Sequence, residues 1–244
     1  MKRFAVIALL IFTSAFAFAA GPVSENKIKV LVLTGGHGFK AEPFFRMFTD
    51  NSEITVTTAS HAETATTPAT AYERDDLLKF DVVVLYDSVR FSTQEQRDHF
   101  LSLFEKGIGV IVLHHAYLSF PDWPDYARIA GGQYVYLEEQ RQRGLASSHY
   151  TKVMVEILVT IANNAHPATA GLHDFGLRDE LYTDMHMVGE VTPLLQTSGE
   201  LLAWAREEKK SRIVGTILGH GPLAHENPNF RKFLAQSIRW VARR

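Results

Sequence analysis

Cysteine is absent from the 244-residue sequence. That absence excludes a thiol nucleophile, a disulfide framework, a thiolate zinc site and a lipid-modified N-terminal Cys. A surplus of positive charge is missing too: 25 Lys and Arg stand against 27 Asp and Glu, a formal net charge of −2. Without a basic field to hold a phosphate backbone, nucleic acid is excluded as a general partner. Beyond the first twenty residues no apolar run is long enough to span a bilayer. Histidine, by contrast, is plentiful at eleven residues, each able to carry a proton or ligate a metal near neutral pH. The 46% apolar content is ordinary for a packed core, so chemistry here has to use His, carboxylates and hydroxyls.

The first twenty residues differ in kind from the rest. Lys2 and Arg3 precede an apolar run from Phe4 to Phe18, broken only by Thr13 and Ser14, and Ala17-Phe18-Ala19 supplies the small residues of a cleavage site. The pattern predicts a signal peptide over 1–19 and an exported protein, periplasmic or secreted. An uncleaved anchor is the alternative, but the run falls short of the ~20 residues a spanning helix needs. No stable membrane span then remains after cleavage. A linker over 20–27 leads into one α/β domain over 28–244.

Within that domain, aliphatic runs alternate with amphipathic stretches. Ile28 to Leu33, Asp81 to Asp87, Val110 to Leu113 and Arg212 to Leu218 read as strands buried on both faces, with β-branched Ile54 to Thr58 as another. Phe44, Phe45 and Phe48 recur at helical spacing, as do Phe100, Leu103 and Phe104 in a helix that Ser92 would cap, with Glu95 three residues on. Lys152 to Val159 partly alternates, as in an edge or antiparallel strand, and Leu201 to Ala205 is a further candidate. Thr64 to Ala71 reads as a loop. The last helix starts at Asn227-Pro228 and places Phe230, Phe233, Leu234, Ser237, Ile238 and Val241 on one face. Aliphatic strands alternating with helices predict a mainly parallel sheet covered on both faces.

Ligands bind such sheets at the carboxyl ends of the strands. There the sequence places His37, Asp87, the pair His114-His115, and His220. One His at a strand end is usually a packing or turn residue; several in the same register point to a pocket. Gly35-Gly36-His37-Gly38 is a glycine turn whose N–H groups could face a substrate oxygen, although it lacks dinucleotide or P-loop spacing. At His114-His115 a buried strand breaks sharply, where α/β enzymes seat a nucleophile. Adjacent side chains diverge, so one of the two is expected to face the pocket. Asp179, Glu180 and Tyr182 add carboxylates and a phenol in a loop-rich region, alongside His166 and His186. Trp123, with Tyr126 and Phe120, can stack on a sugar ring, although core packing is the commoner fate. No cofactor is specified. Three His and a carboxylate suit zinc or a similar divalent ion, with His37, His114 and His220 as candidate ligands, but no H-E-x-x-H spacing is present.

Several stretches carry a family resemblance: LVLTGGHGF (31–39), FDVVVLYDSV (80–89), GIGVIVLHHA (107–116), WPDYARIAGGQY (123–134), HPATAGL (166–172), DELY (179–182), and ILGHG with NPNF (217–230). Together they resemble the ThuA-like (trehalose utilisation) family of the class I glutamine amidotransferase-like superfamily. The resemblance implies a flavodoxin-like three-layer α/β/α sandwich. It also implies a role in using disaccharides or keto-glycosides, by hydrolysis, lysis or isomerisation, alongside a sugar oxidoreductase of the same pathway. Amidotransferase chemistry is excluded, because the elbow that holds Cys in those enzymes holds His114-His115 here. On this resemblance His114, His115 or His220 serves as base, the Gly35-Gly36 turn as donor, and Asp179, Glu180 and Tyr182 as binders or acid. Gly35, Gly36, His37, Asp87 and Trp123 complete the expected substrate contacts.

Two readings of function stand. One is a hydrolase or lyase that acts on a sugar derivative by acid–base or metal-assisted chemistry. The other is a non-catalytic module that binds a sugar or small molecule on the same fold. Metal-dependent hydrolysis of an amide or ester is a third, weaker option. All of the pocket readings require His37, His114 or His115, and His220 to converge.

Overall fold

A computed structural model describes residues 27–61 and 70–244. The leader (1–19), most of the linker (20–27) and most of the Thr64 to Ala71 loop lie outside the described residues. Nine strands form the main sheet: β1 (Ile28–Gly35), β2 (Ile54–Ser60), β3 (Val82–Asp87), β4 (Gly109–Leu113), β5 (Val155–Ile161), β6 (Phe175–Asp179), β7 (Thr192–Thr197), β8 (Glu200–Glu208) and β9 (Ser211–Thr216). Their spatial order is β2-β1-β3-β4-β9-β8-β7-β5-β6. The first five strands of that order pair in parallel, and the remaining pairings are antiparallel.

The parallel strands are aliphatic because both faces are covered. Every residue of β3 and β4 is buried, and since successive side chains point to opposite faces this requires a layer on each side. Helices α1 (Ala41–Thr49), α5 (Pro222–His225) and α6 (Pro228–Val241) pack together, α6 lying on β4 and β9; α2 (Gln94–Lys106) packs on β9 without joining that group. The result is the expected flavodoxin-like α/β/α sandwich around one continuous core. Two further helices, α3 (Pro124–Ala130) and α4 (Leu137–Arg143), follow the β4 crossover.

Helix ends follow local chemistry. Asn227 accepts N–H bonds from Asn229 (3.0 Å) and Phe230 (3.1 Å), Pro228 fills the first turn, and the six predicted residues of α6 are buried. In α1, Met47 joins Phe44 and Phe48 in the buried stripe, with Phe45 only half-buried. The cap of α2 sits one residue beyond the expected Ser92: Thr93 and Gln96 form the reciprocal capping box, while the Ser92 hydroxyl accepts from Arg97.

The second half of the chain bears out one expectation and corrects another. The alternating segment is β5, antiparallel on both sides, and β6 lies outside it at that edge of the sheet. Asp179 therefore ends a strand instead of sitting in a loop. Four reversals after β9 make β6 run in the same sense as β4, so Asp179-Glu180 reaches the edge where the parallel strands end.

Candidate active site

The Gly36-His37-Gly38 turn leaves β1 at that edge, and His114-His115 leaves β4 there in a tight 3-10 turn (His114–Leu118). His114 is held at φ 41°, a left-handed conformation that costs a non-glycine residue roughly 1–2 kcal/mol. Both imidazoles are buried in one cluster, with ring centroids 4.8 Å apart, so neither is the pocket-facing residue expected of the pair.

His115 is buried and stacks on exposed His37, with ring centroids 3.7 Å apart. The ring of His220 stands 5.1 Å from His114, 5.3 Å from His115 and 5.9 Å from His37. His114 Nδ1 lies 2.5 Å from the Ile217 carbonyl. Nδ1 therefore donates to that carbonyl, and Nε2, buried and without a hydrogen-bond partner, faces Glu180 Oε1 at 3.5 Å. The other oxygen of Glu180 lies 3.9 Å from His220 Nε2.

Buried Asp179 positions this cluster from behind. Its carboxylate accepts N–H bonds from Gly219 (2.6 Å) and His220 (3.1 Å), fixing the loop that presents His220. Burial raises its pKa, opposed by the nearby His114 and by those amides.

Glu180 opens onto a cleft of about 210 Å³ lined by His37, Leu118, Tyr134, Tyr136, Tyr150, Tyr182 and His220. Burial, with the charge of Glu180 adding to it, holds the Tyr182 phenol far above its ordinary pKa, and burial pushes Tyr134 up to about 12. Both therefore remain hydrogen-bond donors. His220 also lines a second cavity, of about 440 Å³, with Phe39, Lys40, Met154 and Pro222. A larger hollow, about 750 Å³, lies on the antiparallel half, where Glu200 is its only ionisable wall. Among these cavities, the tyrosine cleft is the one that Glu180, His37 and His220 all line.

Not every expected residue joins this site. Asp87 is fully buried, bonded to His61 Nε2 (3.0 Å) and the Tyr72 hydroxyl (2.9 Å), and lines neither cavity beside the cluster. Trp123 packs edge-on against Phe100 and Phe120 beneath Arg97, a core position away from the cleft. At Gly35 and Gly36 the structure shows close backbone packing: the Gly35 carbonyl accepts from Ser88 N–H at 2.8 Å. His166 caps the short turn Pro167–Thr169 and packs on Trp240; His186 pairs with Gln133 in a two-residue ladder. Tyr134, Tyr136 and Tyr150 were not among the expected binding residues; the sequence offers only the Tyr-Val-Tyr alternation at 134–136 as a hint.

The buried imidazoles predict a pH effect on stability. Burial lowers the pKa of His225 to about 4, against the opposing bond from its Nε2–H to the Gly219 carbonyl (2.8 Å). Burial and the surrounding imidazoles hold His115 well below the ordinary value as well. An unfolded His titrates near pH 6.5, so on acidification the unfolded chain takes up these protons first. Stability is expected to fall between about pH 6.5 and pH 4, with about 3 kcal/mol lost through His225 by the lower limit. Urea unfolding across this range checks it; a midpoint that does not fall contradicts it.

An open α/β sandwich with an ionisable cluster at its carboxyl edge is the architecture of a ligand-binding or catalytic α/β protein. Within that class, residues 29–241 match the family ThuA, described as trehalose utilisation, and the chain belongs to that family. A ThuA-like protein from Parabacteroides merdae is 21% identical with a TM-score of 0.75, covering 88% of this chain and 90% of its own. One from Bacteroides uniformis is 18% identical with a TM-score of 0.66, covering 92% and 95%. A cytoplasmic protein from Salmonella typhimurium is 10% identical with a TM-score of 0.58, covering 88% and 99%. These likenesses establish the fold. No curated protein sequence matches the chain significantly.

Proposed function

We propose that this chain is an enzyme of carbohydrate utilisation that cleaves a keto-glycoside or keto-disaccharide by acid–base chemistry. The observation that carries the reading is the His114–Glu180 pair, a buried imidazole nitrogen 3.5 Å from a carboxylate oxygen, with Glu180 opening onto a cleft walled by four tyrosines. Aromatic faces and phenol donors suit a sugar ring, which is apolar on its C–H faces and polar at its rim. The second cavity shares His220, which gives a two-part substrate room on either side of the cluster.

A ketone acidifies the neighbouring C–H. In lysis, the base takes that proton, a C=C bond forms toward the anomeric carbon, the glycosidic C–O bond breaks, and the leaving oxygen receives a proton. Glu180, which lines the cleft, would accept the first proton, with buried His114 Nε2 behind it at 3.5 Å as its proton partner, while the Tyr134 and Tyr182 phenols donate to the oxygen on which charge develops. With the leader read over 1–19, the proposal is for an exported enzyme fed by an oxidoreductase that makes the ketone.

Incubating the mature protein with 3-keto-glycosides, with and without chelator, tests the reading. Release of the aglycone is expected. Binding without release would recast the chain as a sugar-binding module, and loss of both would remove sugars as ligands.

A further inference from the structure

His115 poses a problem that acid–base chemistry alone does not solve. Both of its ring nitrogens are buried and without a hydrogen-bond partner, and leaving a buried polar atom unsatisfied costs about 1–3 kcal/mol. Its surroundings offer no remedy: the ring is flanked by His37, Tyr86, His114 and His220. His220 Nδ1 is buried and unpartnered too. One donor atom from each of His37, His115 and His220 lies within 4.8 Å of the others.

We infer that His37, His115 and His220 form a binding site for one divalent transition ion of the zinc type. Two donors on a tetrahedral zinc stand about 3.4 Å apart, so the donors have to close in from within 4.8 Å, and exposed His37 has to swing out of its stack on His115 to aim its ring plane at the ion. Three imidazole nitrogens favour zinc and its neighbours over magnesium or calcium, which take oxygen. The supporting contacts fit as well. His37 Nδ1 meets the Gly38 carbonyl at 2.8 Å, leaving Nε2 for the ion, and if His220 coordinates through Nδ1 its Nε2–H faces Glu180. Ligand imidazoles are commonly oriented by such carbonyl and carboxylate partners.

This grouping differs from the ligand set that the sequence suggested, since His115 replaces His114. His114 already has the Ile217 carbonyl on one nitrogen and Glu180 near the other, which keeps it as the proton partner of Glu180. Three protein donors leave a further coordination position, and an ion there supplies a Lewis acid for a carbonyl oxygen. The inference deepens the proposed chemistry of the same site, but its test needs no turnover.

Full-length mature protein stripped with chelator is titrated calorimetrically with zinc chloride and, separately, with magnesium chloride. One zinc per chain and no magnesium binding are expected. His37→Gln and His115→Gln should each weaken zinc binding at least 10-fold, whereas His149→Gln, an exposed residue paired with Asp184, should leave it unchanged. His37 is exposed, so its variant keeps the test decisive if the buried His115 variant fails to fold. Absence of zinc binding, binding unaffected by His37→Gln, or equal loss in His149→Gln would overturn the inference. Turnover by zinc-free protein with no zinc site overturns the metal alone; zinc bound at the triad without turnover overturns the catalytic reading alone.

Discussion

Glu180→Gln is expected to lower turnover of a keto-glycoside roughly 10²- to 10⁴-fold, the range for removing a general acid–base group. Gln keeps the shape of the side chain and its contacts with His114 and His220 but cannot carry the proton. Its KM should stay within a few-fold, because an interaction made only in the transition state lowers kcat and kcat/KM together. A rise in KM with kcat preserved would instead make Glu180 a binding group. The pair makes a further demand. If His114 and Glu180 act as one unit, the double variant His114→Gln/Glu180→Gln should be little worse than either single variant, as groups that work together are non-additive. Losses that multiply would mean two independent roles and would break the pair proposed here.

The residues at the ends of the parallel strands were legible because aliphatic runs mark doubly covered strands, and parallel strands must end at one edge. That logic brought His37, His114, His115 and His220 to the same place. It failed where tertiary contacts decide. Asp87 also ends a parallel strand, yet its side chain turns to His61 and Tyr72, and no local pattern reports that choice. Ser92 and Thr93 are both fit to cap α2, with Glu95 and Gln96 three residues on; which one caps is not fixed by spacing, and in the structure Arg97 occupies the Ser92 hydroxyl. β6 was missed because Gly176 and Arg178 alternate with its buried residues in a segment too short to show a period. The positive φ at His114, which folds both imidazoles into one cluster, has no signature in a His-His pair. The tyrosines of the cleft come from two-residue ladders (Tyr150, Tyr182) and irregular chain (Tyr134, Tyr136), where periodicity carries no information.

Gly36→Ala is expected to destabilise the fold by about 3 kcal/mol or more, the sum of a conformational cost and a clash. Gly36 sits at φ 72°, which costs an L-residue about 1–2 kcal/mol. An added Cβ would also stand 1.8 Å from the Ser88 carbonyl oxygen. Overpacking of this kind typically costs a further 1–3 kcal/mol or so, and here the obstacle is backbone that cannot rotate away. Ser88 is tied by its N–H to the Gly35 carbonyl (2.8 Å), and the next residue, Val89, donates to the Ser119 hydroxyl (2.9 Å). Relief therefore has to open the junction between β1 and β3, and the turn it opens is the one that presents His37. Gly38→Ala is the matched control on the other side of His37: a Cβ there meets nothing within 4 Å, so its effect should stay within about 0.5 kcal/mol. Urea unfolding of the two variants gives the comparison, and zinc titration of whichever remains folded gives the link to the site. If Gly36→Ala were as stable as Gly38→Ala and still bound zinc like the parent, the glycine turn would not be what holds His37 against His115.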